Sequence, residues 1–164
     1  MTTEFESHME DWILNDLSSP VVALGGFAKC PYAKKAYVEN KVKFLEDYIS
    51  LDESISSIAA SWDNATTEVV VIRLHDVDEI MITEVVELLN DRYMQDDFIF
   101  LDDHINNVER MHDVIFNNGR YNVLFMQRRS KLAAATRRLE KIGYYNKWTK
   151  EYYDEVVSWR SQRS

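Results

Sequence analysis

The sequence predicts an α/β fold, a two-layer sandwich in which a small mixed sheet of about four strands packs against helices, with an α+β arrangement as the alternative. Three observations predict it. Residues 68–74, 97–102 and 121–126 are short β-branched or aromatic runs with the composition of strands. Longer segments on either side of these runs repeat apolar residues at helical spacing. The chain has 164 residues, the size of one domain, and its 4 glycines and 2 prolines are too few for long flexible linkers.

The elements follow in order. Residues 8–18 read as a short helix with Trp12, Ile13 and Leu17 on its apolar side. It ends ahead of Pro20, whose ring disfavours helical geometry in the preceding residue. Residues 21–24 are a short apolar run, broken by Gly25 and Gly26. Residues 30–38 form a helical turn, since Pro31 is tolerated at a helix start where its missing N–H has no partner to lose. Residues 41–46 alternate like an edge strand. Ser50 with Glu53 fits a capping box, opening a helix with Leu51, Ile55, Ile58, Ala59 and Trp62 on one side.

Residues 68–74 are the strongest strand, continuous and β-branched, as a central strand should be. Residues 78–93 make a helix with Met81, Val85, Leu88 and Leu89 inward. Residues 97–102 are the next strand, 104–119 a polar segment with a turn signal at Asn117-Asn118-Gly119, and 121–126 the last strand. Ser130 caps a helix over 131–142, with Leu132, Ala135, Leu139 and Ile142 at helical spacing, and Gly143 stops it. Trp148, Tyr152, Val156 and Trp159 then mark a C-terminal amphipathic helix. Residues 1–164 are expected to form a single domain, with no internal repeat.

Composition narrows the function. Hydrophobic residues make up 46% and aromatics 12%, too rich for a disordered chain. A lone cysteine and an acidic N-terminus without an apolar segment point to a cytoplasmic protein with no signal peptide. No run approaches the length of a membrane helix. The net charge of −9 argues against broad nucleic-acid binding, because a phosphate backbone rewards positive surface. The charge is uneven: residues 76–113 hold twelve acids against Arg92 and Arg110, while 120–164 hold eleven Lys or Arg against four acids. Solvated helix faces of opposite sign account for this pattern, and a basic C-terminal face is also suited to an anionic ligand.

Cys30, His75 and His104 carry the candidate chemistry. The stretch Cys30-Pro31-Tyr32-Ala33 is similar to the glutaredoxin motif, but the second cysteine position is Ala33 and no proline follows Pro31. A wider resemblance covers roughly residues 10–140. Cys30-Pro31-Tyr32-Ala33-Lys34, then His75 closing one strand and His104 closing the next, then Asn118-Gly119-Arg120-Tyr121 leading into a strand and Arg128-Arg129, resembles the bacterial family named domain of unknown function 1415. The histidines are followed by Asp76 and Ile105 where that family has proline. The resemblance implies positions and no reaction.

Strand ends on one edge of a sheet are where distant side chains converge on a ligand. If the two histidine-bearing strands are parallel neighbours, both imidazoles meet at one edge, and Cys30 could join them. Three readings follow. The first is catalytic: Cys30 as nucleophile, a histidine as base, and Lys34, Arg120, Arg128 and Arg129 holding an anionic small molecule. The second is a metal site of Cys30, His75 and His104, with Asp76 or Asp103 as a further ligand, suited to zinc or iron. In the third, Cys30 is a buried small hydrophobe and each histidine, with His8 and His112, is structural. The expected function is therefore a small enzyme with a Cys/His/His site, possible metal assistance included. The alternative is a non-catalytic bacterial or phage accessory protein docking a protein partner through its acidic middle or its aromatic C-terminal segment, where Tyr144, Tyr145, Trp148, Tyr152, Tyr153 and Trp159 crowd together.

Overall fold

The computed structural model describes residues 1–162. Arg163, counted above in the basic stretch, lies outside the described residues. Four strands form one mixed sheet: β1 (Val42–Leu45), β2 (Val69–Arg73), β3 (Phe98–Asp103) and β6 (Val123–Arg128), in the order β1-β2-β6-β3. β1 and β2 are parallel; β6 runs antiparallel to both β2 and β3. The chain therefore leaves β1, β2 and β3 at the same edge of the sheet. The fold is mixed α/β with a four-stranded sheet and a C-terminal helical segment, as expected. Residues 41–46 do form an edge strand, and the β-branched run 68–74 supplies the inner strand β2.

The period-two alternation of the strands divides the core. Val70, Ile72, Phe100, Leu124 and Met126 point to the first face, against helices α3 (Leu51–Ala60) and α4 (Glu79–Tyr93). Val71, Val123 and Val42 point to the second face, against α1 (Glu4–Asp11) and α2 (Ala33–Val38). Helices thus cover both faces of the sheet, giving three layers where the sequence predicts two.

Local signals set most boundaries. Ser50 accepts the Glu53 N–H at the start of α3. The first helix starts earlier than residue 8, because Thr3 and Glu6 form a reciprocal capping box; this brings Phe5 and Met9 into the core, both fully buried. It continues through Trp12–Asp16 as a wider π-helical turn. In α4 the inward side differs from the expectation. Met81 and Leu88 are 47% and 69% exposed, while Ile82, Leu89, Asn90 and Tyr93 are buried. Helix α4 has apolar residues at 80, 81, 82, 85, 86, 88 and 89, so its periodicity admits more than one buried side, and the sheet selects one.

The polar segment 104–119 holds a hairpin, β4 (Arg110–Met111) with β5 (Val114–Ile115). Its two turn residues, His112 and Asp113, both take positive φ, the backbone a two-residue hairpin requires. Helix α5 (Arg129–Lys141) begins with Arg128 and Arg129, cations at the positive end of a helix dipole. Asp97 resolves this mismatch from across the sheet: its carboxylate accepts the Ser130 N–H and hydroxyl, and its carbonyl accepts the Arg129 N–H. Ser130 is thus not the cap, and Ile142, expected inward, is 59% exposed. After Gly143, the C-terminal segment runs as α6 (Lys150–Tyr153), a π-helical stretch Asp154–Ser158 and α7 (Trp159–Gln162). Its aromatic crowd is largely internal: Phe116, Tyr144, Trp148 and Tyr152 pack ring on ring around Leu24, Met111 and Val114.

Candidate ligand site on the second face of the sheet

His75 and His104 do reach the same edge, each just past the C-terminal end of a parallel strand. Their chemistry is committed to the backbone. His104 is 2% exposed; its Nε2–H donates to the Val77 carbonyl (2.8 Å) and its Nδ1 accepts the Asn106 N–H (3.0 Å). A ring whose Nδ1 accepts carries its proton on Nε2, and neither nitrogen is left for a metal or a substrate. His75 is exposed and donates from Nε2 to the Glu46 carbonyl (2.9 Å). His8 and His112 likewise meet the carbonyls of Asn118 and Lys147. All four histidines tie loops to neighbouring chain segments. Replacing His104 with phenylalanine should lower the unfolding free energy by about 2 kcal/mol, by stranding a buried carbonyl and N–H. His75→Ala should cost less than about 1 kcal/mol at its exposed position. Urea midpoints of the two variants check this contrast.

Cys30 does not join them. It precedes α2 and lines a cavity on the second face with Glu68 and Val69, at the N-terminal end of β2. His75 lies six residues further along that chain, about 20 Å of extended backbone. Desolvation pushes the Cys30 thiol up, against the Tyr32 and Ala33 N–H groups and the Arg160 charge, which pull it down and lose. No imidazole serves it as a base, and the thiol is protonated at neutral pH. Among the described residues no three His, Cys, Asp or Glu side chains gather as a metal set. The described residues thus gather no Cys30/His75/His104 metal set, with or without Asp76 or Asp103, and Cys30 lines a cavity in which neither histidine takes part.

The expected anion-holding cations are scattered. Lys34 is exposed on α2. Arg120 lies near Glu4 (3.6 Å) and over the Tyr121 ring. Arg128 stacks on Phe98, 4.2 Å from the ring centroid, and donates to Asn64 and to the Asp96 carbonyl. Arg129 donates to the Arg160 carbonyl, tying α5 to α7. It also borders a cleft between α5 and the C-terminal segment. These residues form no common anion pocket.

The structure instead opens a space that periodicity does not reveal. On central strand β6, Leu124 and Met126 are fully buried on the first face, yet Phe125 between them is only half-buried on the second. Its cross-strand partner Leu101 is half-buried too. Two adjoining cavities, of about 340 and 280 Å³, account for this; both are walled by Trp12, Leu101, Phe116 and Phe125. The smaller is an apolar arm toward Cys30, bounded by Ile13, Leu17, Val42, Val69 and Val71. The larger is its polar end, where Asp102, Asp103 and Glu109 meet Glu155, Trp159 and Arg160 of the C-terminal segment.

Each polar group there has a traceable state. Asp103, 7% exposed, accepts from Asn117 Nδ2 (2.6 Å), Asn118 N (2.8 Å) and Asn118 Nδ2 (2.6 Å). Desolvation pushes its carboxyl up, and those hydrogen bonds pull it back. Glu109 is exposed along part of its length, but its carboxylate takes the Tyr152 hydroxyl (3.2 Å). Desolvation, helped by the charges of Asp102, Asp103 and Glu155, pushes it up to about 7. Burial pushes the Arg160 guanidinium down against the pull of nearby groups, Glu109 among them, with which it forms no ion pair. Among the described residues, the Arg160 Nε and the Trp12 Nε1 are buried with no acceptor.

Sequence reasoning named Asp103 only as a metal ligand, and it missed Glu109 and Arg160. The one usable signal was the pairing of an acidic middle with a basic C-terminal stretch, which meet in this cavity.

The fold and the site together define a mixed α/β protein with a polar-ended cavity between its sheet and its terminal segments. Comparison with protein-family models, with curated proteins and with solved structures found no match. Among the described residues no helix is long and apolar enough to cross a membrane.

Proposed function

We propose that this chain binds a small organic molecule in the cavity over the second face of the sheet. The observation that carries the reading is Phe125, an aromatic residue in the middle of a central strand that its own fold leaves half-covered beside buried donors without acceptors. Interiors pack to crystal-like density, and an unfilled space lined by convergent polar groups is the usual form of a ligand site. Four carboxylates against one arginine weigh against the simple anionic ligand expected from the basic C-terminal stretch. The resemblance to the family domain of unknown function 1415 brings no reaction with it, and the proposal stands on the cavity.

A thermal-shift screen of common metabolites tests it. A ligand present at 100 times its Kd stabilises by about 2.7 kcal/mol, which raises the Tm of a domain this size by roughly 5–10 °C. Such a shift should vanish in Leu101→Trp and Phe125→Trp, where a larger ring fills the space. A shift that survives both fillings, or a broad set without any shift, overturns the reading.

A further inference from the structure

Resting on that small-molecule reading, we propose that the cavity takes a free α-amino acid with a large apolar side chain. Its ammonium sits by Asp102 and Glu109, its carboxylate by Arg160 and the Trp12 indole, and its side chain along the arm toward Cys30.

Glu109 and Arg160, of opposite charge, both line the polar end, and no ion pair joins them. An Arg–carboxylate couple that could close on itself would normally do so bidentately. A zwitterion placed between them satisfies both at once. Asp103 is not available for this, because Asn117 and Asn118 already occupy its oxygens. Glu109 accepts the Tyr152 hydroxyl, and a carboxylate has about four acceptor positions, so room remains for an ammonium.

The second observation is independent of the acidic residues. Trp12 is 8% exposed and walls both cavities, and its indole N–H has no acceptor among the described residues. Arg160, at the polar end, also buries its Nε without an acceptor among the described residues. An unpaired buried donor keeps its full desolvation penalty, and a ligand carboxylate relieves two such donors together. A plain amine would leave both unpaired, and a plain carboxylate would face Asp102, Glu109 and Glu155 uncompensated.

The third observation selects the side chain. The arm that leads away from the polar end is bounded by Ile13, Leu17, Val42, Val69 and Val71, with Trp12 and Phe125 at its mouth. Such a wall is mostly hydrocarbon and favours a branched or aromatic side chain; Lys29, Glu68 and Gln127 are polar residues that also line it.

Calorimetric titration with four probes tests the class: L-phenylalanine, 2-phenylethylamine, 3-phenylpropionate and toluene. L-Phenylalanine should bind at least 10-fold more tightly than either single-charge analogue. Arg160→Leu should bring its affinity to within 3-fold of 2-phenylethylamine, and Glu109→Gln to within 3-fold of 3-phenylpropionate. Should Arg160→Leu fail to fold, Trp12→Phe keeps the ring and removes the donor; it should weaken L-phenylalanine and 3-phenylpropionate and leave 2-phenylethylamine unchanged. A single-charge analogue that binds as tightly as L-phenylalanine overturns the amino-acid class while the cavity reading stands. Toluene binding alone does the same. Silence from all four probes overturns the class; the cavity reading falls with it only when the metabolite screen is silent too.

Discussion

Replacing Asn90 with alanine lowers the free energy of unfolding by about 3 kcal/mol, a large effect for a residue that touches no candidate site. β3 is an edge strand, so one side of its backbone has no strand to pair with. Asn90, 1% exposed on α4, fills that place: its Nδ2 donates to the Phe100 carbonyl (3.0 Å) and its Oδ1 accepts the Phe100 N–H (2.8 Å). The amide imitates a neighbouring strand for one residue and seals the edge. Alanine leaves both backbone groups buried and unpaired, at about 1–3 kcal/mol each, with a small void added. Leucine fills the void and should recover little, because the backbone groups stay unpaired. Urea unfolding measures the loss, and hydrogen exchange should show the Phe100 amide losing protection in both variants. A change under about 1 kcal/mol for alanine would mean that water reaches this edge and that the amide pair is not the seal.

The Asp103→Ala substitution should cost about 3 kcal/mol and also loosen the cavity. Asp103 ends β3 opposite Val123 and takes three hydrogen bonds from Asn117 and Asn118. Asn118 in turn accepts the Arg120 and Tyr121 N–H groups, and its carbonyl receives His8 from α1. One carboxylate therefore organises the return of the chain from the hairpin into β6. Its removal strands several buried donors at once, the situation in which losing one partner costs more than the bond was worth. Phe116, directly ahead of this turn, walls both cavities. Ligand affinity should accordingly fall along with stability. Asp103→Asn keeps one acceptor oxygen and should cost roughly half as much in urea unfolding. Equal losses in the two variants would place the effect in the charge and not in the hydrogen-bond geometry.

The strands were legible because β-branched runs of four to six residues have few other uses in a compact domain. Helix starts were legible where a short polar side chain stood ahead of an apolar run, as at Ser50, and the same rule was available but unused at Thr3 and Glu6. Helix α4 was legible as a helix and not as a face, since apolar residues occupy too much of its circumference. The hairpin inside 104–119 was hidden because His112 and Asp113 are not the glycine or asparagine that usually announce positive φ.

The candidate site divides along the same line. Sequence order alone determined that His75 and His104 end strands and that one cysteine enters a helix, because strand composition and turn residues act locally. Whether those side chains were free to react was decided only by tertiary structure: the carbonyls of Glu46 and Val77, distant in the chain from at least one partner, claimed both imidazoles. The cavity was decided there as well. An empty space has no residues of its own; it exists where Trp12, Phe116, Phe125 and Arg160, from four parts of the chain, stop short of filling the face they share.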